Sequence, residues 1–141
     1  MTRIDFYSNA EPKLQVACQF VTKAAKQQLS VVIYAPDERI AREFDRLWTD
    51  QAVGFVPHRV AQHALSSETS IVVAREGADM VRYQVILNLH DDSPPSFSRF
   101  ERLVELVAAD DEDRRLARDR FRFYRDRGYE IKHHDLSKSS L

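Results

Sequence analysis

The sequence predicts a single α/β domain, residues 1–141, with three layers: helices on both faces of a largely parallel sheet. Two observations lead to this prediction. Short β-branched segments alternate with segments of helical periodicity along the chain, and no linker, repeat or low-complexity tract interrupts them. Strands that alternate with helices pair in parallel, because each helix returns the chain to the same end of the sheet.

The first half of the chain contains two strands and two helices. The segment "RIDFY" (3–7) is predicted to be a strand, and Pro12 suits the first turn of the helix that follows. The β-branched run "SVVIYA" (30–35) is predicted to be a buried strand. Asp37 can cap a second helix, whose apolar stripe consists of Ile40, Phe44 and Leu47, with Trp48 beside it.

The second half adds two buried strands, "SIVVA" (70–74) and "YQVILNL" (83–89), and a final strand in "YEIKHHDL" (129–136). The segment "RRLARDRFRFYRDRG" (114–128) predicts a long last helix with Gly128 at its C′ position. A further helix is predicted from apolar residues at helical spacing: Phe97, Phe100, Leu103, Val104 and Val107.

Composition excludes several classes of protein. The 21 Lys and Arg residues nearly balance the 22 Asp and Glu residues, so no bulk attraction to nucleic acid or to membranes follows. The single cysteine, Cys18, excludes an internal disulfide and a multi-cysteine metal site, and its helical position predicts a core residue. The N-terminus lacks a secretory h-region, and no apolar run reaches membrane-spanning length. We therefore expect a cytoplasmic protein with no membrane partner and little or no direct binding to DNA.

Nucleotide chemistry is not predicted, although the fold class often supports it. The only glycines are Gly54, Gly77 and Gly128, and they form neither a dinucleotide fingerprint nor a P-loop. The turn after the first strand, "SNAEPK", has no glycine that would let a pyrophosphate approach the backbone. The expected fold is thus nucleotide-binding-like without a phosphate-binding loop, and no cofactor is expected.

No catalytic or metal site stands out either. His58 and His63 are five residues apart, which does not place two ligands on one helical face. The run "HHD" (133–135) could hold a metal, but it is more typical of the polar end of an edge strand. Asp91 and Asp92 follow a predicted strand, yet "DDSPPS" is more typical of a solvated loop that leads into a helix.

The predicted last helix is strongly basic on one side. Segment 114–127 holds seven Arg and two Asp, and Arg114, Arg118 and Arg125 fall within a narrow arc with Phe121 beside them. Paired arginine forks and an exposed ring suit an acidic peptide that carries its own apolar anchor. The alternative is a solvated helix face without a ligand.

A second feature is an apolar cluster around "DRLWTDQAVGFVPHRV" (45–60), where a helix should give way to a loop. Trp48, Phe55 and Pro57 either fold back into the core or form an exposed anchor patch for a partner. The residue types alone leave both interpretations open.

Three motifs in order resemble those of the chi subunit of bacterial DNA polymerase III holoenzyme, a clamp-loader accessory family. They are "FYSN", then "LW" followed by "FVPH", then "LARDRFRFYRDRGYEI", and together they cover nearly the whole chain. The resemblance implies a non-catalytic α/β domain without a phosphate loop. It also implies two partners: the psi subunit, which tethers chi to the clamp loader, and the acidic, Phe-ending C-terminal tail of single-stranded DNA-binding protein.

The resemblance also implies roles for single residues. Arg118 matches the principal tail-binding arginine, Arg114 a position where a lysine also serves, and Phe121 a position where a tyrosine is found. Val107 would line the pocket for the tail's final Phe, and the arc of basic residues adds Arg125 as a steering charge.

Psi binding would fall to Trp48, Phe55 and Pro57. The segment between "FVPH" and the later strands matches only loosely, which leaves the strand boundaries there open. Two other functions also stay open: a nucleotide-dependent enzyme on a Rossmann-like fold, and a direct nucleic-acid-binding module.

Overall fold

The computed structural model of the chain describes residues 1–52, 58–60, 71–74 and 84–141, without the side chains of 50–52 and 58–60. Its helices are α1 (Lys13–Lys26), α2 (Glu38–Ala52) and α3 (Asp111–Asp126). Its strands are β1 (Arg3–Ser8), β2 (Val31–Tyr34), β3 (His58–Val60), β4 (Ile71–Ala74), β5 (Val85–Asn88), β6 (Arg102–Leu106) and β7 (Glu130–Asp135).

The described strands form one sheet in the order β3-β4-β2-β5-β6-β1-β7. Each pairing between them is parallel; for example, Ile4 of β1 lies opposite Leu103 of β6 and Ile131 of β7. The predicted parallel sheet is thereby confirmed, and β7 forms one of its edges.

The helices cover the sheet in the way that right-handed crossovers require. Helices α1 and α2 pack on one face, and the connections that contain them run toward the β3 edge. Helix α3 packs on the opposite face, and its connection runs from β6 past β1 to the β7 edge. Connections that run toward the β3 edge use one face of the sheet, and the connection that runs toward the β7 edge uses the other. The three crossovers that contain α1, α2 and α3 therefore have the same hand. The three-layer prediction is confirmed.

The helix ends follow the predicted signals. The Asp37 carboxylate accepts a hydrogen bond from the Arg39 backbone N–H at 2.9 Å and begins α2. After α3, Gly128 adopts a φ of +82°, its N–H donates to the Arg125 carbonyl, and the Tyr129 N–H donates to the Tyr124 carbonyl. This pair of bonds is a Schellman motif, which needs a residue that tolerates positive φ.

One predicted element is wrong. The helix expected from Phe97 to Val107 is a short 3₁₀ turn, Phe97–Arg99, followed by strand β6. The strand lies between β5 and β1 and is covered on both faces: Leu103 faces the α3 side, and Val104 faces the α1 side. Both are fully buried, so the strand lacks the polar alternation that marks a half-exposed one.

Of the two interpretations left open for Trp48, the structure supports burial in the core rather than the exposed patch that the resemblance implies. Its side chain is only 1% exposed and stacks on Phe44 at 6.3 Å within the core between α2 and the sheet. Phe55 and Pro57, the other members of the expected patch, lie outside the described residues. Cys18 is fully buried, as predicted, and burial raises the pKa of its thiol to about 11.

Candidate binding groove

A groove of about 480 Å³ lies between α3 and β7, above β1. It exists because α3 packs over β6 and β1 on its way to the sheet edge, so that β7 is left uncovered on this face. Side chains from α3 form one wall and side chains from β7 form the other. The volume falls in the range typical of sites that hold small ligands or peptide anchors.

The floor of the groove is apolar. Phe6, Val107 and Ala117 are each less than a tenth exposed, and Ile131 of β7 continues the surface. Phe121 of α3 stands over this floor with its ring edge-on to Phe6, the ring centroids 5.8 Å apart. It is 37% exposed, and within the described ranges the only other large apolar side chain so exposed is Met1. An apolar anchor of a ligand would find matching surface here.

The α3 wall carries two arginines, Arg114 and Arg118, that have no partner among the described residues. Within the described part of the chain, the guanidinium groups of Arg114 and Arg118 form no ion pair and no hydrogen bond, and both side chains are exposed and line the groove. In contrast, other arginines of this helix are engaged. Arg115 pairs with Glu112 at 2.7 Å, Arg122 with Asp119, and Arg125 with Asp126 at 3.2 Å. The free guanidinium groups are thus those that face the apolar floor.

The opposite end and wall are polar. Ser8 is the last residue of β1, Asn9 follows it, and His133 projects from β7. The nearby carboxylate of Asp135 accepts hydrogen bonds from the Ser137 hydroxyl at 2.7 Å and from Asn9 at 2.7 Å, and these bonds lower its pKa to about 2. Because Asp135 is already engaged in this way, it competes weakly for the groove arginines, which stay available for a ligand.

A buried polar network lies beneath α3 on its sheet side. The Glu105 carboxylate of β6 accepts hydrogen bonds from Arg120 Nε at 3.0 Å, Tyr124 Oη at 2.5 Å and Asn88 Nδ2 at 3.0 Å. All four side chains are less than 5% exposed. Burial and the Glu105 charge raise the pKa of Tyr124, which therefore stays protonated as a donor. Arg120 also donates to the Asp91 carbonyl at 2.8 Å.

This network fixes which side of α3 faces the groove. Ala117, Arg120 and Tyr124 form the buried stripe of the helix. Arg118 and Phe121 each follow a member of that stripe, so both are rotated from it by about 100° in the same direction. The Glu105–Arg120 pair thus holds the basic stripe over the groove. Sequence reasoning counted Arg120 only within the basic segment and missed the network.

The structure therefore brings together four of the five predicted tail-binding residues: Arg114, Arg118, Phe121 and Val107. Arg125 shares their stripe but does not line the groove, because it lies eleven positions beyond Arg114, which is about 16 Å along a helix axis. Its charge is also engaged by Asp126.

The remaining sequence candidates separate from one another. His133 faces the groove, whereas His134 faces the α1 side, where it lies 2.9 Å from Asp5 and stacks on Tyr7. Consecutive strand residues point to opposite faces, so the two rings do not converge on one ion. Across the described segments no three metal-ligating side chains cluster. Asp91 and Asp92 are exposed in a loop, as predicted, although that loop leads into the 3₁₀ turn.

The crevice at which such folds bind nucleotides is occupied by the chain's own groups. The connections after β1 and β6 leave toward opposite faces, which marks a topological switch point. There, the Asp113 carboxylate accepts hydrogen bonds from Lys13 at 3.1 Å and from the Ala108 N–H at 2.8 Å. Asp110 caps the first turn of α3, which contains three acidic residues. A phosphate placed here would meet negative charge.

Known proteins resemble this chain along most of its length. Residues 1–132 match the family model described as DNA polymerase III chi subunit, HolC. The chain belongs to the DNA polymerase III chi subunit family. The DNA polymerase III subunit chi of Pseudomonas aeruginosa is 34% identical over 143 residues, covering 98% of this chain and 99% of that protein. The chi subunit of Escherichia coli K12 is 26% identical, covering 92% and 88%.

Membership of the chi family makes this protein an accessory subunit of the replication machinery. The chi subunit of Haemophilus influenzae, 27% identical over 119 residues, covers 83% of each chain. Among the described helices, none combines the length and the apolar character that a bilayer span requires.

Proposed function

We propose that the groove beside α3 binds the acidic, Phe-ending C-terminal tail of single-stranded DNA-binding protein. The observation that carries this proposal is an apolar floor beside two guanidinium groups, on Arg114 and Arg118, that no described residue engages. A peptide that ends in Phe presents a ring and a terminal carboxylate on one residue. The groove offers apolar surface and an arginine fork at matching positions.

Each part of the tail has a stated place in the groove. The ring of the last residue packs against Val107, Ala117 and Phe6, which removes its apolar surface from water. The terminal carboxylate is held by Arg118, and the preceding acidic residues lie toward Arg114. Arg125, which lies off the groove, contributes only long-range attraction.

In this proposal the protein has no catalytic site of its own and acts in the cytoplasm as a link. One side engages the tail, and a separate surface engages psi and through it the clamp loader. Because Trp48 is buried, it would not contact psi itself, and a psi surface near the end of α2 would be formed by other residues of that region. Trp48 would support that surface from beneath.

Titration of a fluorescent tail peptide against variants tests the proposal. Replacing Arg118 with Ala removes a charge-assisted contact that contributes about 2 kcal/mol, which is more than a tenfold loss of affinity. The matched control is Arg122→Ala on the same helix, since Arg122 is paired with Asp119 and does not line the groove. The control should bind like the parent.

A peptide amidated at its C-terminus provides the second arm, because it keeps the ring and loses the bidentate acceptor. Equal binding of the free and amidated peptides, or of Arg118→Ala and the parent, would show that the groove is not the tail site. Tight, steeply salt-dependent binding to naked single-stranded DNA would instead favour a direct nucleic-acid-binding module. A nucleotide-dependent thermal shift would favour an enzyme.

A further inference from the structure

The wall opposite the arginines carries the imidazole of His133. His133 is exposed, lines the groove from β7, and makes no hydrogen bond or ion pair to any residue that the structure describes. Its neighbour in sequence, His134, is engaged: it forms a hydrogen bond with Asp5 and stacks on Tyr7. His133 is therefore free to interact with a ligand, whereas His134 is part of the sheet packing.

We propose that His133 is a third contact for the acidic peptide, and that it adds a proton-dependent component to binding. This inference rests on the proposed function, since it concerns the same groove. The two arginines approach the ligand from one side only, and an extended acidic peptide has carboxylates on both sides. A protonated imidazole on β7 would hold a carboxylate that the α3 wall does not reach.

The groups around His133 determine how it responds. From α3, Arg114 and Arg118 face the same groove, and both remain charged between pH 6 and pH 8. From β1 and its following turn, Ser8 and Asn9 are neutral. From β7 itself, the neighbouring carboxylate is Asp135, which is already engaged by Asn9 and Ser137.

An incoming acidic peptide changes this balance. Arg114 and Arg118 give the α3 side of the groove a positive charge. The peptide's carboxylates neutralise that charge, so binding and protonation favour each other. Between pH 6 and pH 8 the peptide carboxylates and the arginines keep their charge, and histidine is the side chain that changes.

The test measures the affinity of a labelled peptide of several aspartates ending in Phe, between pH 6 and pH 8 at low salt. The parent should bind about threefold to fivefold more tightly at pH 6, which is the upper part of the range for one exposed ion pair. The variant His133→Gln should bind weakly and equally at both ends of the range. The variant His133→Lys should bind tightly at both, because its charge is fixed.

His90→Gln is the control, since His90 is half-buried in the loop after β5 and does not line the groove. It should keep the pH dependence of the parent. If His133→Gln also keeps that dependence while Arg118→Ala loses binding, the His133 inference is overturned and the proposed function stands. If the parent does not bind the peptide at pH 6, both are overturned.

Discussion

The buried pair of Arg120 and Glu105 predicts a large difference between two arginines on one helix. Replacing Arg120 with Ala leaves the Glu105 carboxylate, which is fully buried, with only the neutral donors Asn88 and Tyr124. Removing one member of a buried ion pair costs about 3–5 kcal/mol, because the remaining charge is uncompensated. With a urea m value of about 2 kcal/mol/M, the midpoint of unfolding should fall by about 1.5–2.5 M.

Arg122→Ala is the matched comparison, two residues away on α3. The Arg122 side chain is 57% exposed in its pair with Asp119, against 3% for Arg120 with Glu105. Exposed pairs contribute about 0–1 kcal/mol, so this variant should unfold close to the parent. Urea unfolding followed by circular dichroism gives both midpoints. Equal midpoints for the two variants would refute the argument that the Arg120 pair holds α3 on the sheet.

Two further predictions concern the core and the α1 side of the sheet. Trp48→Ala should destabilise the isolated chain by about 3–5 kcal/mol and lower its melting temperature by about 10–15 °C, because the indole is buried on Phe44. A normal melting curve would show that Trp48 is a surface residue after all. Burial raises the pKa of Asp5, but bonds from His134 and Arg102 outweigh it and lower the pKa below 3.8. The stabilisation is present above pH 4 and lost as pH falls through the folded pKa, so Asp5→Asn should flatten the acid limb of urea midpoints measured from pH 2 to 6.

Much of the architecture could be predicted from periodicity and end signals. The β-branched runs around Ile33 and Ile86 are strands, Asp37 begins α2, and Gly128 ends α3, because local chemistry and tertiary context agree there. Strand β6 could not be predicted in this way. A strand buried on both faces shows no alternation, and the adjoining apolar residues of the 3₁₀ turn produced a helical spacing by coincidence.

Only the exposed part of the site could be predicted from the sequence. The exposed basic stripe could be found from helix geometry, and Arg114, Arg118 and Phe121 do share a groove. The ion pair beneath it could not, because Glu105 and Arg120 are distant in sequence and only the fold brings them together. One signal was present: a lone carboxylate within the apolar run "LVELV" requires a buried partner.

The uncovered face of β7 has a consequence for how easily the ligand preference of this surface can change. An α-helix is about 10 Å wide and strands lie about 4.8 Å apart, so one helix shelters roughly two strands. The groove beside α3 therefore results from backbone spacing rather than from the residues that line it. Substitutions at positions such as Arg114 or His133 can alter charge and affinity while the groove keeps its shape. Recognition can thus be retuned one side chain at a time without rebuilding the scaffold.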